Sequence, residues 1–336
     1  MFNWVLDHIL RVVVAEVEVR FPDSGIDFEF RVNTESTNRA QRASAKPAGS
    51  ANILLILYAD DILVFAKDAA QLEAVMGIMH DVFTRYGLKM ACEKTQSMVF
   101  NAPLHTAAPP NIIAIDNTPI ENVEVFRYLG HHLTGNHGSQ TYLNQQIGSA
   151  WAAWREHRIV LCDHDIKLHI RIALLEAYVR SKLCYSLQTR LLSYDEERKV
   201  DSIWVGMLRR MVRGGRARKP AQNGESNWAY RYSNADIMRI TRTQLASAFC
   251  EKQRIQYVAH VTRMPNTSYP KLSCFAKPTR AYYKCDWHNI SKRMGMDQSQ
   301  VRKLMFDRKE FRKWLESHYE SHPAKYAHAR TRAKHR

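Results

Sequence analysis

The sequence predicts an α+β fold: an antiparallel sheet with packed helices, followed by an all-helical, basic C-terminal part. Two observations carry that prediction. Strand-like runs stop before about residue 139, and from there the apolar residues recur at helical spacing. Charge changes near the same place: residues 1–150 hold 11 Lys and Arg against 16 Asp and Glu, a net of −5, whereas residues 151–336 hold 38 against 17, a net of +21. With 336 residues, 45% of them hydrophobic, the chain can bury a sizeable core and is not a disordered polypeptide. The excess of cations points to an acidic partner, most commonly a polyphosphate; the alternative is a solvated surface that keeps the chain soluble. No run approaches the roughly 18 apolar residues of a membrane span. The six cysteines are scattered without pairing rhythm, and the N-terminus lacks a basic n-region and a small-residue cleavage site. Free thiols in an intracellular compartment, cytoplasmic or nuclear, follow as the expectation.

Taken in order, the first element is a helix over residues 2–14, with Phe2, Val5, Leu6, Ile9, Leu10 and Val13 on one face. It starts at the first residue with no cap before it, the pattern of a chain that begins inside a longer domain. "GIDFEFRVN" alternates as a strand, and residues 34–51 read as a polar loop. Residues 52–58 read as a buried strand, 59–61 as a turn and 62–66 as a second strand, a hairpin with acidic residues at its tip. In "KDAAQLEAVMGIMHDVFTRYG", Asp68 is the N-cap and Gln71 stands three residues on, as in a capping box. Leu72, Val75, Met76, Met79, Val82, Phe83 and Tyr86 form its packing face, and Gly87 ends it. Two short strands, 96–100 and 125–133, flank a Pro-containing loop.

Beyond residue 139, Leu143, Ile147, Ala150, Trp151 and Trp154 make one stripe, and Ile166, Ile170, Leu174, Tyr178 and Val179 another. Stripes at this spacing are core rather than ligand sites. Gly, Pro and polar residues in "RGGRARKPAQNGESN", residues 213–227, mark a break, and the tail "HARTRAKHR" reads as disordered. Three segments result: 1–138, 139–214 and a basic helical 215–336.

Chemistry concentrates in "ILLILYADDILVFA", residues 53–66, which sets two adjacent carboxylates, Asp60 and Asp61, inside an apolar run. An isolated ionised carboxylate is too costly to bury unless it is paired or bound to a metal, so the chain either turns tightly there or holds a cation. "GLKMACEKT" and "FRYLGHHLT" follow in that order. This succession resembles the palm of reverse transcriptases, most closely those of non-LTR retrotransposons, from residue 1 to about 215 and more loosely to about 265, through "ITRTQLASAFCEKQRIQYVAHVTRMP".

The resemblance implies a partial right-hand polymerase palm over 1–138, a helical thumb over 139–214, and RNA-directed DNA synthesis by two-metal nucleotidyl transfer. It makes Asp60 the first Mg²⁺ ligand and Asp61 the second acidic group, with Tyr58 and Ala59 near the primer terminus. Lys94 would lie near the triphosphate, where a cation meets the charge developing on the pyrophosphate. Ala91 stands where the family usually has Asn. Tyr128, Leu129 and Gly130 match the hairpin that positions the primer end. Arg209, Arg210, Arg213, Arg216 and Arg218 would track phosphates, which gives affinity without sequence preference and a steep salt dependence. The implied partners are an RNA template, a DNA primer or RNA–DNA hybrid, and deoxynucleoside triphosphates.

Two parts of the family pattern are missing: a third carboxylate on a strand upstream of the hairpin, and the Gly- and Ser-containing motif after it. Asp7 lies in the first helix and is not spaced to replace that carboxylate. Three readings stay open: an incomplete, inactive reverse transcriptase, a catalytically dead nucleic-acid-binding remnant, and an unrelated basic helical nucleic-acid-binding protein. The order of the motifs argues against the third. Cys285 and His288, and His318 and His322, have zinc-like spacing, but Cys274 stands too far from Cys285 to complete a knuckle.

Overall fold

The helical spacing that begins at Phe2 runs further than its first stripe. In the computed structural model, which describes residues 2–30, 49–100, 111–134, 139–189, 192–220, 228–265, 268–271 and 286–319, helix α1 spans Phe2–Arg20. It extends past residue 14 because Val17 continues the buried face of Leu6, Ile9, Leu10 and Val13; Val5 lies off that face and is exposed. The chain divides into two compact units, one within Met1–Gly138 and one made of Ser139–Cys274 with Asp286–Arg336. Residues 34–48 of the predicted polar loop 34–51 and the predicted disordered tail lie outside the described residues, whereas the last three residues of that loop, 49–51, belong to a strand, Gly49–Ile53.

In the first unit, helix α2 (Ala69–Arg85) starts as its sequence directs. The Asp68 carboxylate accepts from the Gln71 N–H at 2.8 Å, and the Gln71 side chain accepts from the Lys67 N–H at 2.9 Å. Its face of Val75, Met76, Met79, Val82 and Phe83 packs with α1 and with Ile113, Ile115 and Ile120 into one core. Tyr86, expected on that face, is exposed because the helix has already ended at Arg85.

The strands are β1 (Ile26–Phe30) with β2 (Gly49–Ile53), β3 (Leu55–Tyr58) with β4 (Asp61–Val64), and β8 (Val125–Tyr128) with β9 (His131–Thr134), each pair antiparallel. A three-stranded sheet has the order β5 (Gln96–Ser97), β7 (Thr118–Asn122), β6 (Asn111–Ile115), with β5 parallel to β7. The predicted strand 52–58 is thus two strands, broken at Leu54, whose carbonyl accepts from the Phe65 N–H at 2.8 Å. Part of the predicted Pro-containing loop is the β6–β7 hairpin. Its turn residues Asp116 and Asn117 both have positive φ, 48° and 60°, which is the requirement of a type I′ turn. The sequence hid it because neither turn residue is glycine.

The second unit is built from helices α3 (Ser139–Glu156), α4 (Arg158–Cys162), α5 (Leu168–Leu175), α6 (Ser181–Cys184), α7 (Tyr194–Met211), α8 (Asn234–Thr241), α9 (Ala246–Thr262), α10 (Asp286–Met294), α11 (Gln298–Phe306) and α12 (Arg308–Tyr319). Leu143, Ala150 and Trp154 are buried as their stripe requires. The second stripe is out of phase: Ile170 and Tyr178 are exposed, while Ile172, Leu175, Val179 and Leu183 are buried. The mismatch is already present in α5, because a strict spacing of four drifts off a 3.6-residue repeat, and a π-helical turn at Glu176–Arg180 then joins α5 to α6. Trp204 is fully buried in α7 and its indole N–H donates to the Gln244 carbonyl at 3.1 Å. A strand inside the predicted break, β10 (Arg218–Pro220), pairs antiparallel with β11 (Trp228–Tyr230) just beyond it. Among the described residues no helix is long and apolar enough to cross a membrane.

Candidate functional site

Strand register fixes the acidic tip. Tyr58 pairs with Asp61, so Ala59 and Asp60 form a two-residue turn. Ala59 has φ 53°, a left-handed conformation that costs an L residue roughly 1–2 kcal/mol and that the flanking strands must impose. Asp60 sits on the turn and Asp61 opens β4, both exposed. Leu55, Leu57, Ile62 and Val64 pack on the core of the first unit, whereas Ile56 is 43% and Tyr58 61% exposed. The hairpin is therefore buried on one face only, not throughout as its apolar run suggests. A pleated ribbon turns alternate side chains to opposite faces, and only one of them meets the core.

The second hairpin, β8–β9, turns on Leu129 and Gly130, with φ of 48° and 74°, again the type I′ signature. Gly130 suits that conformation and Leu129 does not, so both hairpin tips carry a strained apolar residue, a feature that clusters at functional positions. Burial pushes the Tyr128 phenol above its ordinary range, and the negative charge of Asp61 and then Tyr58 push it further. Tyr128 thus shares the electrostatic environment of the acidic tip. Among the described residues its hydroxyl is buried with no hydrogen-bond partner, as is Nδ1 of His132 in the same hairpin. An unmade buried hydrogen bond costs about 1–3 kcal/mol. Tyr128→Phe is therefore expected to leave stability unchanged or raise it by about 1 kcal/mol, read from the urea midpoint; a clear loss would show that the hydroxyl is bonded.

Lys94 ends a 3-10 turn, Cys92–Lys94. The Lys94 N–H, the Thr95 N–H and the Thr95 hydroxyl all donate to the Ala91 carbonyl, at 2.9, 3.1 and 3.0 Å. Main chain closes this loop, which offsets the missing Asn side chain at position 91. Lys94 is exposed, and among the described residues no hydrogen bond or ion pair joins it to Asp60 or Asp61. The fold therefore brings Tyr58, Ala59, Asp60, Asp61 and Tyr128 together and does not tie Lys94 to them.

The five arginines of the second unit separate into two kinds. Arg209 is only 6% exposed; Nη1 donates to the Gly215 and Tyr232 carbonyls at 3.2 and 2.6 Å, and Nη2 to Asn234 Oδ1 at 2.6 Å. Its guanidinium lies 4.2 Å from the Tyr230 ring centroid. This corrects its assignment as a phosphate contact, because its donors serve the protein interior. Arg210 is half-buried, donates to the Gly206 carbonyl at 2.7 Å and stacks on Trp151 and Trp154 at 4.9 and 5.9 Å. Arg213, Arg216 and Arg218 are exposed. Sequence reasoning missed Tyr230, whose signal is the aromatic and basic alternation of "WAYRY" after the break.

Metal ligation depends on the donors present. Asp60 and Asp61 offer hard oxygen ligands, and Mg²⁺ is commonly held by one or two carboxylates with water and substrate phosphates. A two-ion site asks for more carboxylates than the described residues bring to this tip, where no group of three or more His, Cys, Asp or Glu could hold a metal. Of the zinc-spaced residues, His318 stacks on Trp314 at 4.6 Å and is held below its ordinary range by burial. Cys285 and His322, and the side chain of His288, lie outside the described residues.

The acidic two-residue hairpin tip thus lies in the electrostatic reach of a second, aromatic hairpin within the same α+β unit. Residues 25–133, about a third of the chain, match the family model described as Reverse transcriptase (RNA-dependent DNA polymerase). Reverse transcriptases are nucleotidyltransferases that generally use Mg²⁺ and bind template, primer and deoxynucleoside triphosphates. No curated protein and no solved structure matches the chain.

Proposed function

We propose that this 336-residue chain is the nucleic-acid-engaging part of a reverse transcriptase of the non-LTR retrotransposon type, and that on its own it binds template and primer without extending them. The observation that carries this reading is the exposed Asp60–Asp61 tip beside the partnerless Tyr128 hydroxyl. Asp60 and Asp61 would hold Mg²⁺, which supplies charge neutralisation for a triphosphate. Tyr58, Ala59 and the Tyr128–Gly130 turn would meet the primer end, and Arg213, Arg216 and Arg218 the phosphate backbone. Phosphoryl transfer depends on electrostatic stabilisation by the metals and their carboxylates. Among the described residues the tip brings two carboxylates and no third, which leaves that stabilisation incomplete. The scattered cysteines favour an intracellular setting.

The test is primer extension on an RNA template annealed to a DNA primer, with Mg²⁺, alongside binding to the same hybrid. The expected result is binding that weakens steeply between about 50 and 200 mM salt and no extension. Extension that disappears in Asp60→Ala would overturn the inactive part of the reading, and binding insensitive to salt would overturn the nucleic-acid part.

A further inference from the structure

The end of α7 is where the second unit returns its chain most tightly. Gly214 has φ 71°, and a Cβ on Gly215 would stand 2.3 Å from the Arg209 carbonyl oxygen, so only glycine fits at position 215. That turn is closed by the Gly215 N–H on the Val212 carbonyl at 2.9 Å and the Ala217 N–H on the Gly214 carbonyl at 3.0 Å. It delivers Arg216 and Arg218 directly into the β10–β11 hairpin, where Arg218 pairs across the strands with Tyr230 and the Arg231 N–H donates to the Ala217 carbonyl at 2.7 Å.

The result is an exposed phenol set among guanidinium groups. Tyr230 is 44% exposed, with Arg209 4.2 Å and Arg218 5.2 Å from its ring centroid. The nearby Arg218 guanidinium, and behind it the charges of Arg209 and Arg216, hold its phenol below its ordinary range. Among the described residues, no carboxylate forms an ion pair with Arg209, Arg213, Arg216 or Arg218. Several like charges gathered on one small hairpin repel one another unless an anion joins them. The buried Arg209, fixed by three hydrogen bonds, is a rigid floor that holds the Tyr230 ring in place.

We infer that the β10–β11 hairpin is a phosphate-binding site for a nucleic-acid strand, in which the Tyr230 hydroxyl and the Arg216 and Arg218 guanidinium groups contact the backbone. This rests on the nucleic-acid reading above and adds to it a clamp outside the residues matched by the reverse transcriptase domain. Arginine suits the role because its planar donors meet phosphate oxygens two at a time. A phenol beside them supplies a neutral donor, as tyrosine does in backbone contacts that set position without reading sequence.

The test compares the whole wild-type chain with Tyr230→Phe and with Arg216→Ala/Arg218→Ala, titrating a fluorescent RNA–DNA hybrid of roughly 20 base pairs at several salt concentrations. The expected result is that the double substitution lowers the slope of log affinity against log salt by about 2, close to one unit for each phosphate that no longer meets a cation. Tyr230→Phe should weaken binding several-fold at unchanged slope, because it removes a hydrogen bond and no charge. Unfolding midpoints serve as the control, since Tyr230→Phe keeps the ring over Arg209. Wild-type binding that persists with the same slope and strength in both variants would overturn the hairpin site while leaving the broader nucleic-acid reading intact. Failure of the wild type itself to bind would overturn both.

Discussion

Arg293→Ala is expected to destabilise the helical unit by about 3–5 kcal/mol, the cost of breaking a buried ion pair by removing one partner. Arg293 on α10 lies 3.1 Å from Glu197 on α7 and 3.0 Å from Glu251 on α9, and the two carboxylate side chains are only 8% and 9% exposed. Burial acts to lower the Arg293 pKa, but the two carboxylates outweigh it and the net shift is upward, so the cation persists at every accessible pH. Removing it takes their shared cation away from two buried carboxylates. Arg293→Lys should lose less than alanine and more than nothing, because an ammonium lacks the planar fork that engages both carboxylates. Urea unfolding followed by tryptophan fluorescence gives the measurement; a loss below about 1 kcal/mol would mean that the bridge behaves like a surface pair. The bridge also explains why 286–319 does not stand apart. Through it α10 is tied to helices on both sides of residue 214.

What the sequence made legible were the features set by local rules. Asp68 and Gln71 announced the start of α2, and the spacing of Leu6, Ile9, Leu10 and Val13 announced the core face of α1. The acidic hairpin could be read because its turn is short and its flanks are apolar. What stayed hidden depended on tertiary context or on backbone conformations that sequence patterns do not mark. The Asp116–Asn117 turn carries positive φ without glycine, and the stripe 166, 170, 174 and 178, spaced strictly by four, drifts off a 3.6-residue repeat. Burial of the acidic hairpin was overread, since an apolar run cannot say whether one face or both will be covered. Tyr128 was legible as part of a hairpin, but its partnerless hydroxyl and its place in the field of Asp61 required the fold.

Arg209 is the clearest case of one residue type serving two purposes in one run, and it gives the second large prediction. In "RRMVRGGRAR" the arginines look alike, yet α7 turns Arg209 inward and leaves Arg213, Arg216 and Arg218 in solvent. Arg209→Ala should cost about 3–4 kcal/mol, because hydrogen bonds from a charged group contribute about 1.5–3 kcal/mol each and are not additive. It strands the Gly215 and Tyr232 carbonyls and Asn234 Oδ1, and it removes the cation beneath Tyr230. Arg216→Ala and Arg218→Ala should each stay within about 0.5 kcal/mol of wild type, as exposed substitutions usually do. The two classes therefore part on two axes: Arg209 moves the unfolding midpoint, and the exposed pair moves the salt slope of nucleic-acid binding. If Arg209→Ala left the midpoint unchanged and lowered the salt slope instead, its guanidinium would be facing phosphate, and the inward hydrogen bonds that define the hairpin floor would be wrong.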